Sequence, residues 1–312
     1  MKTIRISLGS AAALGLKKVR IDCLPTTIYL MTPGKCRARC LFCSQWTQTD
    51  RLSRVFWPEF TVEDVVSHLG KTDQRVCIQC LNYEGVFADV LEFAERLQDR
   101  VKAVSVSAHP FSREEIRILH PHIDRISINM DCATQSLFEK IKPYYSWENH
   151  LSTLLYARQI FGAFKAGSHL IVGLGETEKE IARMMTWLYH HELTCSLFAF
   201  TPLPGTPLEK MKKPDITSYR RIQAAHYLIY ERQKVLQFKN GLISNLDEDI
   251  PPDAFITRGC PGCNRPYYTE TPRNVYNFPC TPTGWEMNLV IAQLKGIERA
   301  SNSSSTCLEK SQ

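Results

Sequence analysis

Short runs of β-branched residues alternate with longer amphipathic stretches through most of the chain. Between about residue 25 and residue 245, runs typical of buried strands are separated by segments whose apolar residues recur with the helical period. The predicted strands cover residues 26–31, 75–80, 103–107, 125–129, 168–173 and 196–201. This alternation is typical of βα units, and it predicts a parallel sheet covered by helices.

Six βα units predict an α/β fold built as a partial barrel of the (β/α)6 type. A closed barrel of eight strands stays open as an alternative, because residues 241–245 could add a strand after a helix at about 218–235. In either arrangement, ligands are expected at the carboxyl ends of the strands, where the βα loops gather.

The two ends of the chain differ from its middle. Residues 1–24 predict a helical extension, and a secretory signal is disfavoured because polar residues break its short apolar run and lysines follow it. The barrel is expected over residues 25–247. Residues 248–300, rich in Pro, Gly, Cys and Tyr, predict an irregular lobe with a helix, and residues 301–312 predict a disordered tail.

Composition narrows the class of protein. The net charge of +6 is spread along the chain without a Lys/Arg block, so no nucleic-acid groove is predicted. No apolar stretch approaches the length of a membrane span. Twelve cysteines in a chain of 312 residues favour metal binding in a cytoplasmic enzyme over a secreted disulfide scaffold.

The segment "KCRARCLFCSQ" carries the strongest chemical signal. Cys36, Cys40 and Cys43 are spaced CxxxCxxC just after the first predicted strand, with Phe42 before the last cysteine. Three thiolates on one loop can hold three irons of a four-iron, four-sulfur cluster and leave the fourth iron without a protein ligand. A zinc site short of one ligand and three unrelated buried thiols are the alternatives.

This spacing after the first strand of a βα barrel resembles the radical S-adenosylmethionine (radical SAM) enzymes. The resemblance implies that the open iron binds S-adenosylmethionine. It also implies that one electron from the cluster cleaves this cofactor to methionine and a 5′-deoxyadenosyl radical, and that Phe42 lies near the adenine.

Two further segments are similar to parts of that family's cofactor site. "QCLNYEG" follows the second strand, and the resemblance implies that Glu84 receives the methionine amino group. "SINMDCAT" ends the fourth strand, and it implies that Asn129 and Asp131 bind the ribose hydroxyls. A carboxamide and a carboxylate are suitable acceptors for a diol.

The segment "HLIVGLGETEKE" resembles the family's IxGxxE arrangement through Ile171, Gly173 and Glu176. The resemblance implies that these residues belong to the cofactor site, where Gly173 would let the backbone approach the adenine. An ordinary turn from a strand into a helix is the alternative for the same residues, and the two interpretations are compatible.

A second group of cysteines follows in the irregular lobe. "GCPGCNRPYYTE" places Cys260 and Cys263 as a CxxC pair, and Cys280 follows in "NFPC". A structural zinc site with a distant fourth ligand is one interpretation. The other is an auxiliary four-iron, four-sulfur cluster across the barrel mouth from the first, with Cys23 and Cys77 as further candidate ligands.

Within the radical SAM family, the chain resembles the biotin synthase-related branch and, most of all, the subunits of two-protein lipoyl synthases. "LSRVFWPEF", "VCIQCLNYEG", "GSHLIVGLGETE" and "GCPGCNRPYYTE" carry this resemblance, whereas "CSQ" departs from the proline that such subunits more often have after the third cysteine. It implies insertion of sulfur into an octanoyl chain on a lysine of a carrier protein. The auxiliary cluster would donate the sulfur.

The same resemblance implies several partners. They are a homologous partner subunit, an octanoylated carrier such as the glycine cleavage H protein or the lipoyl domain of a dehydrogenase E2 component, and an electron donor such as ferredoxin or flavodoxin. Alternative functions are another radical SAM sulfur insertion or methylthiolation, and a zinc-stabilised binding protein without catalysis.

Overall fold

The computed structural model describes residues 1–47, 49–70, 72–246, 249–272 and 274–296. The strands are β1 (Thr3–Ile6), β2 (Thr27–Met31), β3 (Arg51–Leu52), β4 (Val55–Phe56), β5 (Glu59–Thr61), β6 (Thr72–Gln79), β7 (Val101–Ala108), β8 (Arg125–Ile128), β9 (Ala166–Val172), β10 (Thr194–Ala199), β11 (Phe238–Lys239) and β12 (Leu242–Ile243). The α-helices are α1 (Leu8–Ala13), α2 (Val62–Leu69), α3 (Val86–Leu97), α4 (Arg113–Leu119), α5 (Gln135–Ile141), α6 (Trp147–Phe161), α7 (Glu178–His190), α8 (Ile216–Tyr230) and α9 (Trp285–Leu294).

One sheet of eight strands organises the molecule, in the order β10-β9-β8-β7-β6-β2-β1-β5. The six strands from β10 to β2 are parallel to one another, and β1 lies antiparallel between β2 and β5. The predicted α/β fold with a partial barrel of six βα units is confirmed. The closed barrel of eight is wrong, because β11 and β12 around residues 241–245 form a separate hairpin.

The amino terminus corrects the predicted helical extension over residues 1–24. Residues Thr3–Ile6 form the strand β1, and only Leu8–Ala13 are α-helical, capped by the Ser7 hydroxyl. Ile4 and Ile6 are fully buried, whereas Arg5 between them faces the other way. A period of two over four residues is too short to stand out beside the alanine-rich run that follows it.

Alternate strand residues point to opposite faces of the sheet. In β6, Val76 and Ile78 are fully buried in the main core, together with Phe93 of α3. Gln79 of β6 and His169 of β9 instead line a cavity on the inner face. The inner face of the parallel strands therefore carries polar side chains that the helices do not cover.

The helices begin where the sequence predicts. Thr61 caps α2 and Ser146 caps α6, each accepting a hydrogen bond from a backbone N–H three residues on. Ser112 and Glu115 form the predicted capping box at the start of α4. These caps fix the residues at which the three helices begin.

The carboxyl-terminal lobe is irregular apart from α9 and the 3₁₀ helix Pro252–Phe255. Arg220 of α8 is fully buried and joins the lobe to the barrel, donating to the carbonyls of Val275 and Tyr276 and to the Gln293 side chain. The predicted limits of the lobe stay a prediction, since residues 247, 248 and 297–312, with the expected tail, lie outside the described residues. Within the described ranges, every helix is too short or too polar to cross a bilayer.

Candidate functional site

A cavity lies at the carboxyl ends of the parallel strands, where the cysteine loop leaves β2. Cys36, Cys40 and Cys43 line one wall together with Phe42. Asn129 and other polar residues that end the later strands also line the cavity, and Tyr268 and Thr269 of the lobe contribute to its lining. The predicted triplet therefore lies at the end of the sheet where ligands bind in this architecture.

The cysteine loop is held by backbone hydrogen bonds. The N–H of Cys36 donates to the carbonyl of Gln45 at 3.0 Å, and the N–H of Cys43 donates to that of Cys40 at 3.0 Å. Two further N–H groups point at sulfur, from Asn82 to Cys36 at 3.4 Å and from Gln45 to Cys43 at 3.5 Å. Such donors stabilise thiolate sulfur and tune a bound cluster.

The residues present fit an iron–sulfur cluster and a polar cofactor. Burial raises the pKa of the Cys43 thiol to about 12, so a metal must displace its proton on binding. Ser53 Oγ and His109 Nδ1 line the cavity, and both are buried without a hydrogen-bond partner among the described residues. Over the same part of the chain, no three His, Cys, Asp or Glu side chains converge as a single ion would require.

Asp131 lies in a buried ionic group at the cavity wall, near Cys40 and Cys43. Its carboxylate is 2.7 Å from the Lys142 ammonium and 2.5 Å from Nε2 of His169. Burial would raise the pKa of Asp131, but its contacts with Lys142 and His169 hold it well below its usual range. The carboxylate therefore stays ionised at the cavity wall.

Asn129 is fixed beside this ionic group. Its amide donates to the Ser107 hydroxyl at 3.0 Å, and the Ser127 hydroxyl donates to its carbonyl oxygen at 2.9 Å. Asn129 and Asp131 both line the cavity, as a role in holding a ribose requires, and that role stays a prediction.

Some residues of the IxGxxE segment lie at the cavity, and others lie in the turn that follows β9. Ile171 lines the cavity. The Glu176 carboxylate accepts hydrogen bonds from the N–H groups of Gly173 at 2.7 Å and Leu174 at 3.0 Å, so it braces the turn. Gly173 has a φ of 104°, and a Cβ there would lie 3.0 Å from the Pro214 ring. These contacts favour the turn interpretation for Gly173 and Glu176.

The structure contradicts the expected position of Glu84. This side chain is 87% exposed, pairs with Arg37 at 2.8 Å and does not line the cavity. Solvent and an arginine thus satisfy the carboxylate on the outside of its loop. Asn82, two residues earlier, lines the cavity instead and donates to the Tyr145 hydroxyl at 3.1 Å.

A second group of thiols is formed by Cys77, Cys260 and Cys263. The Cys263 sulfur lies 3.1 Å from the Tyr29 hydroxyl, and the Gln79 amide donates to the Cys77 sulfur at 3.1 Å. Burial, and after it the neighbouring Cys260 and Cys263, raise the pKa of Cys77 to about 12. The CxxC pair and the strand cysteine therefore lie together, although they are far apart in the sequence.

This second group lies near the amino ends of the strands, which corrects the expectation that it faces the first group across the barrel mouth. Thr26, directly before β2, donates its hydroxyl to the Gly262 carbonyl and its N–H to the Asn264 side chain. Arg75 and Arg125 of the inner face place positive charge beside Cys260. The two thiol groups thus approach the barrel interior from opposite ends.

The last two candidate ligands are Cys23 and Cys280. Cys23 is half-buried, and its sulfur lies 3.9 Å from the side-chain nitrogen of Asn264. Cys280 is exposed and follows Phe278, whose backbone pairs with Ile256. Ligand roles for these two residues stay predictions.

A small apolar cluster joins the two thiol groups. Its members are Tyr29, Met31, Trp57 and Leu81. Cys36 packs against it from the cavity side, Cys77 and Cys263 belong to the second group, and Tyr268 of the lobe also contacts it. Tyr268 in addition lines the cavity and packs edge-on against Phe198 at 5.5 Å.

The sequence reasoning did not single out Lys142, His169 or Tyr268 as members of the cavity. His169 carries a signal in retrospect, because a polar residue two positions before Ile171 in an apolar strand must share its inward face. Lys142 follows a helix and carries no such periodic signal. Tyr268 lies in an irregular segment, where periodicity gives no signal either.

Comparison with known proteins identifies the family. The model of the radical SAM superfamily matches residues 30–188, about half of the chain. The chain belongs to the radical SAM superfamily. This radical SAM enzyme therefore uses a four-iron, four-sulfur cluster and S-adenosylmethionine, and the cysteine triplet and the cavity beside it are the residues that fit them.

Individual relatives are similar over part of their length. The [FeFe] hydrogenase maturase subunit HydE of Thermotoga maritima is 26% identical over 187 residues, covering 58% of this chain and 53% of that protein. A lipoyl synthase of Nocardia farcinica is 29% identical over 114 residues, covering 35% of this chain and 30% of that enzyme. The radical SAM enzyme described here thus matches about half, or less, of these relatives' length.

Among solved structures, the FeFe-hydrogenase maturase HydG of Carboxydothermus hydrogenoformans superposes with a TM-score of 0.52. The match covers 66% of this chain and 52% of HydG at 15% identity. At this identity, the likeness shows the fold alone.

Proposed function

We propose that this radical SAM enzyme inserts sulfur into an octanoyl chain carried on a lysine of a carrier protein, together with a homologous partner subunit. The observation that carries the proposal is the second thiol group, Cys77, Cys260 and Cys263, which the lobe and β6 bring to the same barrel interior as the triplet. An auxiliary cluster held there would be the sulfur donor.

When bound, the cluster and S-adenosylmethionine supply a primary carbon radical, which is able to abstract hydrogen from an unactivated C–H bond. The chain's own residues place the cofactor for this step. Asn129 and the ionised Asp131 offer acceptors for the ribose hydroxyls, and Phe42 and Ile171 offer apolar contact surface. The buried Lys142, which also lines the cavity, holds Asp131 in place through their ion pair.

The cavity beside the cysteine triplet suits an acyl chain. Leu52, Leu81, Phe198 and Leu203 line the cavity, and Tyr268 lies beside them. Apolar side chains favour the methylene groups of an octanoyl chain and keep water away from a carbon radical. An acyl chain bound in this cavity would lie beside the cysteine triplet.

Exposed basic residues lie in two segments that also contribute side chains to the cavity lining. Arg51 and Arg54 flank the cavity residues of the β3–β4 hairpin, and Lys210, Lys212 and Lys213 belong to the loop after β10, which also contributes Leu203 to the cavity. We call these five residues the basic rim. A carrier protein with an acidic face would be steered to this rim.

The two relatives favour two different functions. The likeness to a lipoyl synthase favours sulfur insertion, as do the second cysteine group and the basic rim. The longer match to a hydrogenase maturase subunit favours a second candidate, a role in maturation of a metal cofactor. Turnover of an octanoyl substrate distinguishes the two.

The decisive experiment is an anaerobic incubation of reconstituted protein with a reductant, S-adenosylmethionine and an octanoyl-lysyl peptide, with and without the partner subunit. Mass spectrometry should show the peptide gaining sulfur, and iron analysis should show about eight irons per chain for two four-iron clusters. Cleavage of the cofactor without any sulfur gain, in the presence of the partner, would contradict the proposal.

Replacing both Cys260 and Cys263 by alanine tests the role of the second group. We expect cofactor cleavage to continue, because the triplet is untouched, and sulfur transfer to be lost. The matched variant Cys280→Ala determines whether the exposed cysteine is a ligand, since a ligand's loss would lower the iron content as the double variant does. Sulfur transfer that survives in the double variant would rule out the donor role.

A further inference from the structure

Arg5 of β1 is a buried cation behind the cysteine loop. It is 7% exposed, and its guanidinium donates to Gln45 Oε1 at 2.6 Å, to the sulfur of Met31 at 2.9 Å and to the Thr49 carbonyl at 2.9 Å. Glu59, its register partner on β5, and Asp50 interact with its charge, but within the described part of the chain no carboxylate lies within salt-bridge distance of it, and its Nε has no hydrogen-bond partner. A buried charge whose counter-charges are this distant is only partly compensated.

Gln45 connects this cation to the cysteines. Its side chain accepts from Arg5 and donates to the Arg51 carbonyl, and it is 3% exposed. Its backbone carbonyl accepts from the N–H of Cys36, and its N–H points at the Cys43 sulfur at 3.5 Å. Gln45 is thus the residue that closes the loop around two of the three thiols.

We propose that Arg5 is a positioning residue for the cluster loop and supplies the counter-charge of the cluster bound there. Arg5 clamps Gln45, and Gln45 holds Cys36 and Cys43 at fixed positions. The three thiolates of an occupied site would add negative charge beside the buried guanidinium, which no salt bridge joins to the Glu59 or Asp50 carboxylate. This inference goes beyond sulfur insertion and holds whichever substrate the radical SAM enzyme uses.

Two consequences follow for the bound cluster. Because reduction adds an electron, a cation fixed nearby in a medium of low polarity favours the reduced form and raises the reduction potential. Because the clamp fixes the loop, it slows the escape of iron. The first effect depends on the charge of residue 5, and the second depends on its hydrogen bond to Gln45.

The test compares reconstituted full-length variants by redox titration followed with electron paramagnetic resonance, and by iron release to a ferrous chelator. Arg5→Met should lower the reduction potential and release iron about tenfold faster, as loss of a buried hydrogen bond to a charged group predicts. Arg5→Lys should keep a potential close to that of the parent. Gln45→Ala should release iron faster while keeping most of the potential.

The matched control is Arg39→Met. Arg39 lies in the same loop, between Cys36 and Cys40, but its side chain is exposed, so solvent screens its charge. Parent-like potential and iron release in a folded Arg5→Met protein would overturn the proposal, as would an equal shift in Arg39→Met. If Arg5→Met does not fold, parent-like iron release in Gln45→Ala or a lowered potential in Arg5→Lys would overturn it.

Discussion

At the scale of single residues, Asp131 is expected to serve both folding and cofactor binding. In Asp131→Asn, the Lys142 ammonium stays buried without its counter-charge, and breaking a buried ion pair in this way costs about 3–5 kcal/mol. We expect a lower urea midpoint for the anaerobic apoprotein and weaker binding of S-adenosylmethionine in equilibrium dialysis.

The double variant Asp131→Asn with Lys142→Met is the control for this prediction. Removing both charges should recover much of the lost stability, since apolar replacements of buried pairs are well tolerated. Cofactor binding should stay weak, because the carboxylate acceptor is still missing. Equal binding in the parent and the double variant would show that Asp131 serves folding alone.

The buried His226 is expected to make the free energy of unfolding depend on pH. Burial inside the fold, against the Cys195 carbonyl and the Tyr230 ring, lowers the pKa of His226 to about 3. The unfolded chain takes up this proton near pH 6.5, so acidification below that pH favours unfolding, by about 2 kcal/mol at pH 5.

The measurement is the melting temperature between pH 7 and pH 5. His226→Phe should melt lower at pH 7, because it loses a buried hydrogen bond, but its melting temperature should fall less on acidification. His190→Phe, at an exposed position, should keep the slope of the parent. A slope that His226→Phe leaves unchanged would contradict the assignment.

At the scale of elements, Arg220 predicts how firmly the lobe is joined to α8. Arg220→Met leaves the carbonyls of Val275 and Tyr276 buried and without this donor, so we expect a loss of about 3 kcal/mol or more, confined at first to the lobe. Limited proteolysis should cut residues 249–296 before the barrel. Arg232→Met, at an exposed position of the same region, should resist proteolysis as well as the parent does. Simultaneous cleavage of barrel and lobe would contradict a local joint.

The sequence predicts elements whose signal is local and misses those that depend on distant partners. The six parallel strands and the capping box at Ser112 follow from periodicity and cap chemistry within a few residues. The strand β1 is four residues long, and only pairing with β2 and β5 makes it a strand.

The same distinction applies to the site. The spacing of Cys36, Cys40 and Cys43 sets their common loop, so their position was predictable. The contact between Tyr29 and Cys263 joins residues 234 positions apart, and no spacing rule reveals it. Glu84 was chosen as the carboxylate its segment offered, but a side chain's direction on a loop depends on neighbours such as Arg37.

At the scale of the whole molecule, the basic rim predicts a dependence on the carrier protein. Arg51→Glu with Lys212→Glu reverses charge beside the mouth but leaves the cavity lining intact. Rim charges act mainly on the association rate. We therefore expect kcat/KM for an octanoylated acidic carrier to fall about tenfold at low ionic strength and to approach the parent value at high salt.

Turnover of the octanoyl-lysyl peptide distinguishes an effect on carrier docking from an effect on the reaction in the cavity. The peptide lacks the acidic face of a carrier, so its turnover should be the same in the parent and in the rim variant. Arg100→Glu with Lys102→Glu, exposed at the amino end of β7, changes the net charge equally and should leave both substrates unaffected. Equal losses for peptide and carrier would place the defect in the cavity, and equal losses in the control would show that only total charge matters. If even the parent does not turn over the peptide, the proposed substrate class is wrong. If the rim variant loses activity with the carrier and keeps it with the peptide, the carrier docks at the basic rim.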